Sequence, residues 1–257
     1  MIGPWFVSWP ALWPSESGTV SLVSSETSPD GLAVNAFTRS GASLGKSWIT
    51  NANTLQEARV TLASPLTPTL VFAAGADWTA AATVQLRGEP GSVLLATLSK
   101  LRPGFWAALI VGAGSYSAFT FRASDAGHPT GDLEVPFVAF GTGHTLPGYL
   151  RPARRYQVVD PSELSVSRIG AKFALKQRQQ LSLGLSIYAH SDDSDVATLR
   201  GMIETVGVTE PIFCALDTAD LTRYGETIVG ALERVPAEQI PAGLMASFSL
   251  DLLEIVV

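Results

Sequence analysis

The chain has 257 residues, 46% of them apolar and only 16% charged, with a formal net charge of −6. This is enough for one large or two ordinary domains with real cores, on a surface poorer in charge than the roughly 25% usual for globular chains. The acidic balance excludes a general electrostatic grip on nucleic acid, and the single cysteine, Cys214, excludes an internal disulfide.

The N-terminal stretch MIGPWFVSWPALWP is apolar, lacks a basic segment and is broken by Pro4, Pro10 and Pro14. It reads as a poor secretory signal. Trp5, Trp9 and Trp13 recur every fourth residue, each near a proline, and the prolines spoil a continuous helix. Two readings of residues 1–40 stay open. One is an extended arm that lays its indoles on a neighbouring protein. The other is strand and turns packed on the chain's own core.

The segment Gly41-Ala42-Ser43-Leu44-Gly45-Lys46-Ser47 looks like a phosphate-binding loop but has three residues between its glycines where the motif needs four. The next residues, Trp48-Ile49-Thr50-Asn51, are not a helix start, so nucleotide binding is not expected. From about 48 to 140 the pattern is all-β. Ala58–Leu62, Thr69–Phe72, Thr83–Arg87, Ser92–Leu98, Trp106–Val111, Ala118–Arg122 and Leu133–Phe140 are separated by Gly, Pro, Asn and Asp. Short strands with turn signals between them predict a sandwich or barrel over residues 41–145. The apolar run Phe105–Ala113 is too short to cross a bilayer, so no membrane insertion is expected.

Residues 141–162 form a Gly/Pro-rich connection that turns basic, and the domain boundary is placed there. Residues 146–257 read as an α+β domain of antiparallel strands with one main helix. Strands are expected at about 166–176 and 179–189, Pro211–Leu216 and Ala246–Val256, with a looser segment at Tyr224–Leu232. The clearest unit is Leu181–Gly207. Leu181, Leu183, Leu185 and Ile187 alternate with Ser182, Gly184, Ser186 and Tyr188, as in a half-buried strand. The period then changes: Val196, Leu199, Met202, Ile203 and Val206 recur at helical spacing, and Gly207 stands where a helix ends. Cys214, inside an apolar run, reads as a buried inert thiol.

Charge is unevenly laid out in this half. Residues 151–178 carry seven basic side chains against Asp160 and Glu163, whereas residues 191–257 carry three against twelve acids. This division suits a head-to-tail contact between identical subunits, and an ordinary solvated surface would also produce it. The contact reading names Arg154, Arg155, Arg168 and Lys172 against Asp192, Asp193 and Asp195, with further acids in 217–226.

No catalytic signature emerges. His128, His144 and His190 have no metal-ligand spacing to other ligating residues. The acids after His190 suit a helix N-terminus. Asp125, Asp132 and Glu134 read as solvated turn residues, and no GxSxG elbow occurs. No catalytic residue, cofactor or metal site is expected.

Two stretches resemble a known family. TLVFAAGADWTAAATVQLRG (69–88) and FTFRASDAGHPTGDLEVPFVAFG (119–141) are similar to the discoidin-like, galactose-binding-type jelly roll of tailed-bacteriophage tail proteins. The chain departs at Val135-Pro136-Phe137, where the family pattern has Ile-Gly-Arg. VVDPSELSVSRIGAKF (158–173), the unit Leu181–Gly207, and a closing strand with Glu254 resemble the second half of the same proteins. The resemblance covers roughly 48–257. It implies a virion structural protein of the tail tip, a distal tail or baseplate component made in the host cytoplasm. Such a protein would form a homo-oligomeric ring, often sixfold, and bind tail-tube, tail-tip or fibre proteins, with Trp5, Trp9 and Trp13 as candidate anchors. The alternative is a carbohydrate-binding module fused to an adaptor, with Trp78, Trp106 and Tyr116 as stacking aromatics.

Overall fold

The computed structural model describes residues 5–8, 18–26, 31–38, 46–146, 153–159, 163–166, 172–175, 180–190, 194–208, 211–222, 227–236 and 245–254. The chain is mainly β and divides into two units. One consists of Met1–Pro10, Thr145–Ala219 and Glu226–Val256; the other is chiefly Ala11–His144. The second is thus an insertion into the first.

After β1 (Trp5–Ser8) the chain builds the inserted unit from β2 (Gly18–Val23), the short helix α1 (Ala33–Ala36), β3 (Trp48–Ile49), β4 (Gln56–Leu66), β5 (Leu70–Ala76), β6 (Thr83–Glu89), β7 (Val93–Thr97), β8 (Ser99–Arg102), β9 (Gly104–Leu109), β10 (Tyr116–Ser124), β11 (Glu134–Val135) and β12 (Phe137–Gly141). A five-stranded sheet, β2-β4-β10-β6-β7, faces a four-stranded sheet, β12-β5-β9-β8, and β3 pairs with β11. This is a β-sandwich. Its core follows from alternation: Ala58 and Val60 of β4 and Phe119 and Phe121 of β10 turn inward against Val71, Ala73, Trp106, Val138 and Phe140. Phe119 and Phe140 meet across the sandwich with ring centroids 4.7 Å apart. Phe72 contacts Phe105 and Phe137, so β5 and β12 are buried on both faces.

The remaining strands are β13 (His144–Leu146), β14 (Ala153–Val159), β15 (Glu163–Val166), β16 (Lys172–Leu175), β17 (Gln180–His190), β18 (Ile212–Ala215), β19 (Ile228–Leu232) and β20 (Met245–Glu254), with helix α2 (Ser194–Val206) between β17 and β18. Seven strands form one sheet in the order β13-β1-β18-β19-β20-β17-β14, and β15 and β16 pair with each other. The register sets Leu183 opposite Leu252 and Leu185 opposite Leu250. That apolar face receives Val196, Leu199, Met202, Ile203 and Val206 of α2, all buried. Each such side chain contributes about 1.5–3 kcal/mol by leaving water. Gly207 ends the helix at φ +54° and donates its N–H to Ile203 O at 3.1 Å, a left-handed cap that glycine adopts without a Cβ penalty.

Of the two open readings of residues 1–40, residues 5–8 follow the second, a strand of the chain's own sheet: Phe6 pairs with Ala215 and Ser8 with Phe213. The structure departs from the sequence-based expectations in four places. The sandwich takes in residues before the expected boundary at residue 41, because β2 is its edge and Phe37 lies in its core. The stretch expected as a single strand over 166–176 is instead two strands that pair antiparallel, Val166 with Lys172. Finally, the expected connection 141–162 contains β14, and Leu133–Phe140 is split at Pro136, which has no N–H for a ladder.

Candidate functional site

At the end of the sandwich away from Gly18 and Gly141, the loops 50–55, 77–82 and 125–133 come together. Asp125, 1% exposed, accepts hydrogen bonds from the Thr79 N–H at 2.6 Å and the Thr79 hydroxyl at 2.7 Å. Its backbone carbonyl accepts from the His128 N–H at 2.9 Å. Asn53 donates to the carbonyls of Ala126 and His128, both at 3.3 Å, and the Thr50 hydroxyl accepts from the Leu133 N–H at 2.8 Å. These hydrogen bonds tie the three loops to one another.

These ties shape a cavity of about 200 Å³ lined by Ile49, Gly75, Asp77, His128, Thr130, Asp132 and Glu134. Gly75, at φ +82°, stands where the β5–β9 ladder slips between Ala74 and Ala76, a bulge that redirects the chain into Asp77. The His128 side chain is 8% exposed; its Nε2 lies 3.3 Å from Asp77 Oδ1 and its Nδ1 2.8 Å from the Thr130 hydroxyl. Both ring nitrogens thus have a hydrogen-bonding partner. The Ser47 hydroxyl donates to Glu134 Oε1 at 2.6 Å.

The wall is therefore rich in acceptors, and its described residues include no Phe, Tyr or Trp. Its chemistry suits hydrogen-bond donors such as ligand hydroxyls or an ammonium, and its volume is below the roughly 300–1,000 Å³ of drug-sized sites. Among the described residues no group of three or more His, Cys, Asp or Glu is arranged to hold a metal ion.

Two of the three aromatics expected to stack on sugars lie in the sandwich core. Trp78 and Trp106 are 1% and 3% exposed, with centroids 5.7 Å apart inside the sandwich core. Lys100 adds its ammonium 5.6 Å from the Trp106 ring and donates to Trp78 O at 2.5 Å. The half-buried Tyr116 ring packs over Gly88 and sits 6.0 Å from Phe119. Large apolar surfaces gain more from the core than from a solvated loop, which is why the indoles point inward. The cavity is hidden in the sequence because His128, Asp132 and Glu134 have the look of solvated turn residues. The cluster of Asp, His, Gly and Pro over 125–134 is the one local signal for it.

Of the residues expected at a subunit contact, Arg154 and Arg155 lie in β14, at the edge of the seven-stranded sheet. Lys172 lies in β16, and Asp195 in the first turn of α2. Arg168, Asp192, Asp193, Trp9 and Trp13 fall outside the described residues, as does the loop 41–45, and Trp5 opens β1.

No protein-family model and no curated protein sequence matches this chain. Several solved structures do. A chitosan-binding module of the chitosanase/glucanase from Paenibacillus sp. IK-5 matches with a TM-score of 0.40 and 17% identity, over 51% of this chain and 97% of its own. The family 32 carbohydrate-binding module from Streptococcus pneumoniae EndoD gives a TM-score of 0.40 and 13% identity, over 52% and 98%. A fucolectin from striped bass (Morone saxatilis) serum gives 0.40 and 11%, over 96% and 92%. Likeness of this degree transfers no ligand, and none of the three is a bacteriophage protein.

Proposed function

We propose that this chain is a non-catalytic structural protein of a bacteriophage tail tip, a distal tail or baseplate component whose α+β unit assembles into a ring of identical copies. The observation that carries this reading is the insertion of the sandwich into a sheet. β1 lies between β13 and β18, while the sandwich strands lie in sequence between β1 and β13. The sandwich is thus a module carried by another fold whose sheet, among the described residues, ends at β13 and β14. Open edges recruit further strands or chains. The resemblance of 48–257 to tail proteins and the charged fraction of 16% point the same way. The partners under this reading are further copies of the chain and tail-tube, tail-tip or fibre proteins, in the virion tail. Gold-labelled antibodies on intact particles test it: label confined to the tail tip is expected, and particles free of the protein would contradict it.

A second reading, favoured by the cavity lined by Asp77, His128, Thr130, Asp132 and Glu134, is that the sandwich binds a carbohydrate through hydroxyl-to-carboxylate hydrogen bonds. A glycan array probed with the full chain and with His128→Ala tests it. Binding lost in the variant is expected, and no binder above background would contradict it.

A further inference from the structure

The outer face of the five-stranded sheet carries one row of side chains that crosses every strand. Leu22 pairs with Arg59, Arg59 with Thr120, Thr120 with Arg87 and Arg87 with Leu94, from β2 through β4, β10 and β6 to β7. Their chain neighbours Ala58, Val60, Phe119, Phe121 and Leu86 fill the core, so strand alternation turns the row to solvent. At about 4.8 Å between strands the row is about 19 Å wide. It ends in two leucines, Leu22 and Leu94, each 49% exposed.

The charges on this face are unequally engaged. Arg87 donates to Gln85 Oε1 at 3.0 and 3.3 Å and to Ser92 O at 2.9 Å. Arg122, two residues along β10 from Thr120, is bound to Glu57. Thr120 donates to Glu89 Oε1 at 3.0 Å, and Glu89 also accepts from the Ser92 N–H at 3.1 Å. Arg59 is half-buried and has no hydrogen-bond or ion-pair partner among the described residues. Its stem lies on the sheet while its five donors stay open to a carboxylate. A guanidinium between apolar ends is the composition of a protein interface.

The α+β unit holds the complement. Glu204 of α2 is exposed and also has no hydrogen-bond or ion-pair partner among the described residues. Asp195, Asp217, Glu233, Asp251 and Glu254 of the same unit all have one. Val196, Leu199, Met202, Ile203 and Val206 are the buried side of α2. Helical spacing puts Glu204 on the opposite side, with Ala197 and Gly201. With 13 residues α2 is about 20 Å long, which matches the width of the row.

We propose that α2 of one copy lies on the outer face of the five-stranded sheet of the next, with Glu204 accepting from the Arg59 guanidinium. Val208, 45% exposed just past the helix, then falls beside Leu22, one turn from Glu204 as Leu22 is one strand from Arg59. Helix and sheet are different surfaces, so the contact is heterologous and repeats from copy to copy, closing into a ring when the rotation allows. The inference rests on the assembly reading above and names its contact.

Sedimentation of the full chain with reversed charges tests it. Arg59→Glu and Glu204→Arg should each weaken association about tenfold or more, because like charges then face each other. An equal mixture of the two variants should restore association, since each copy then meets the opposite charge on the next. Circular dichroism checks that each variant is folded. Arg59→Gln and Glu204→Gln should weaken association less, and they carry the test if a reversal does not fold. If the unmodified chain assembles but these changes leave association unaltered, or the mixture fails to restore it, the helix-to-sheet contact is overturned while the assembly reading stands. A chain that stays monomeric at every concentration would overturn both.

Discussion

Asp125 grips Thr79 twice, through the backbone N–H at 2.6 Å and the hydroxyl at 2.7 Å, and so joins the β5–β6 loop to the loop after β10. Both donors, on the half-buried Thr79, lose their acceptor in Asp125→Ala. Bonds to a charged group contribute about 1.5–3 kcal/mol, and an orphaned buried donor adds to the loss. Urea denaturation of Asp125→Ala should therefore show a cost of about 2–4 kcal/mol, with Asp125→Asn losing less. A loss below about 0.5 kcal/mol would mean that the two loops are held by other contacts.

Gly88 and Tyr116 make a second, independent test of the sandwich. A Cβ on Gly88 would lie 2.6 Å from the Tyr116 ring, whereas one on Gly114 would lie 3.6 Å from the Tyr116 hydroxyl. Gly88→Ala is expected to cost about 1–3 kcal/mol by overpacking, and Gly114→Ala much less. In the double variant Gly88→Ala/Tyr116→Ala the losses should be clearly less than additive, because the clash is gone. Strict additivity in thermal melts would refute the contact.

The indoles give a prediction opposite to the one their chemistry first suggests. Trp106→Ala should destabilise the sandwich by about 3–5 kcal/mol, the range for a large aromatic removed from a core, as measured by chemical denaturation. A variant with unchanged stability would mean that the ring is free to meet a ligand after all.

These residues also show how much is legible in the sequence. The strand–helix unit ending at Gly207 can be read in full, because one apolar stripe changes period where the backbone changes conformation. Most sandwich strands are visible for the same reason. Trp78 and Trp106 are misplaced because an aromatic beside a turn signal looks the same whether it faces a loop ligand or the core. The pairing of β15 with β16 cannot be read as two strands, since the sequence over 163–175 shows no alternation whose break would mark a turn. The membership of β1 in the seven-stranded sheet is a long-range pairing, and no local pattern encodes it. The cavity around His128 depends on loops brought together from three parts of the chain.

In the α+β unit the close approach of Gly230 to β20 is as sharp a test as any core substitution. A Cβ there would stand 2.6 Å from the backbone oxygen of Leu253, and a backbone atom in a central ladder cannot step aside. Gly230→Ala should cost at least about 2 kcal/mol. Leu199→Ala, at the centre of the buried helix face, should cost about 2–5 kcal/mol. Both are read by thermal unfolding of the full chain.

Assembly is the central claim, and sedimentation velocity of the purified full-length chain, paired with negative-stain imaging of the same sample, tests it most directly. The account predicts a single closed species of several copies with cyclic symmetry, growing at the expense of monomer as concentration rises. A chain that sediments as a monomer throughout, with no ring in the images even alongside other tail proteins, would contradict it.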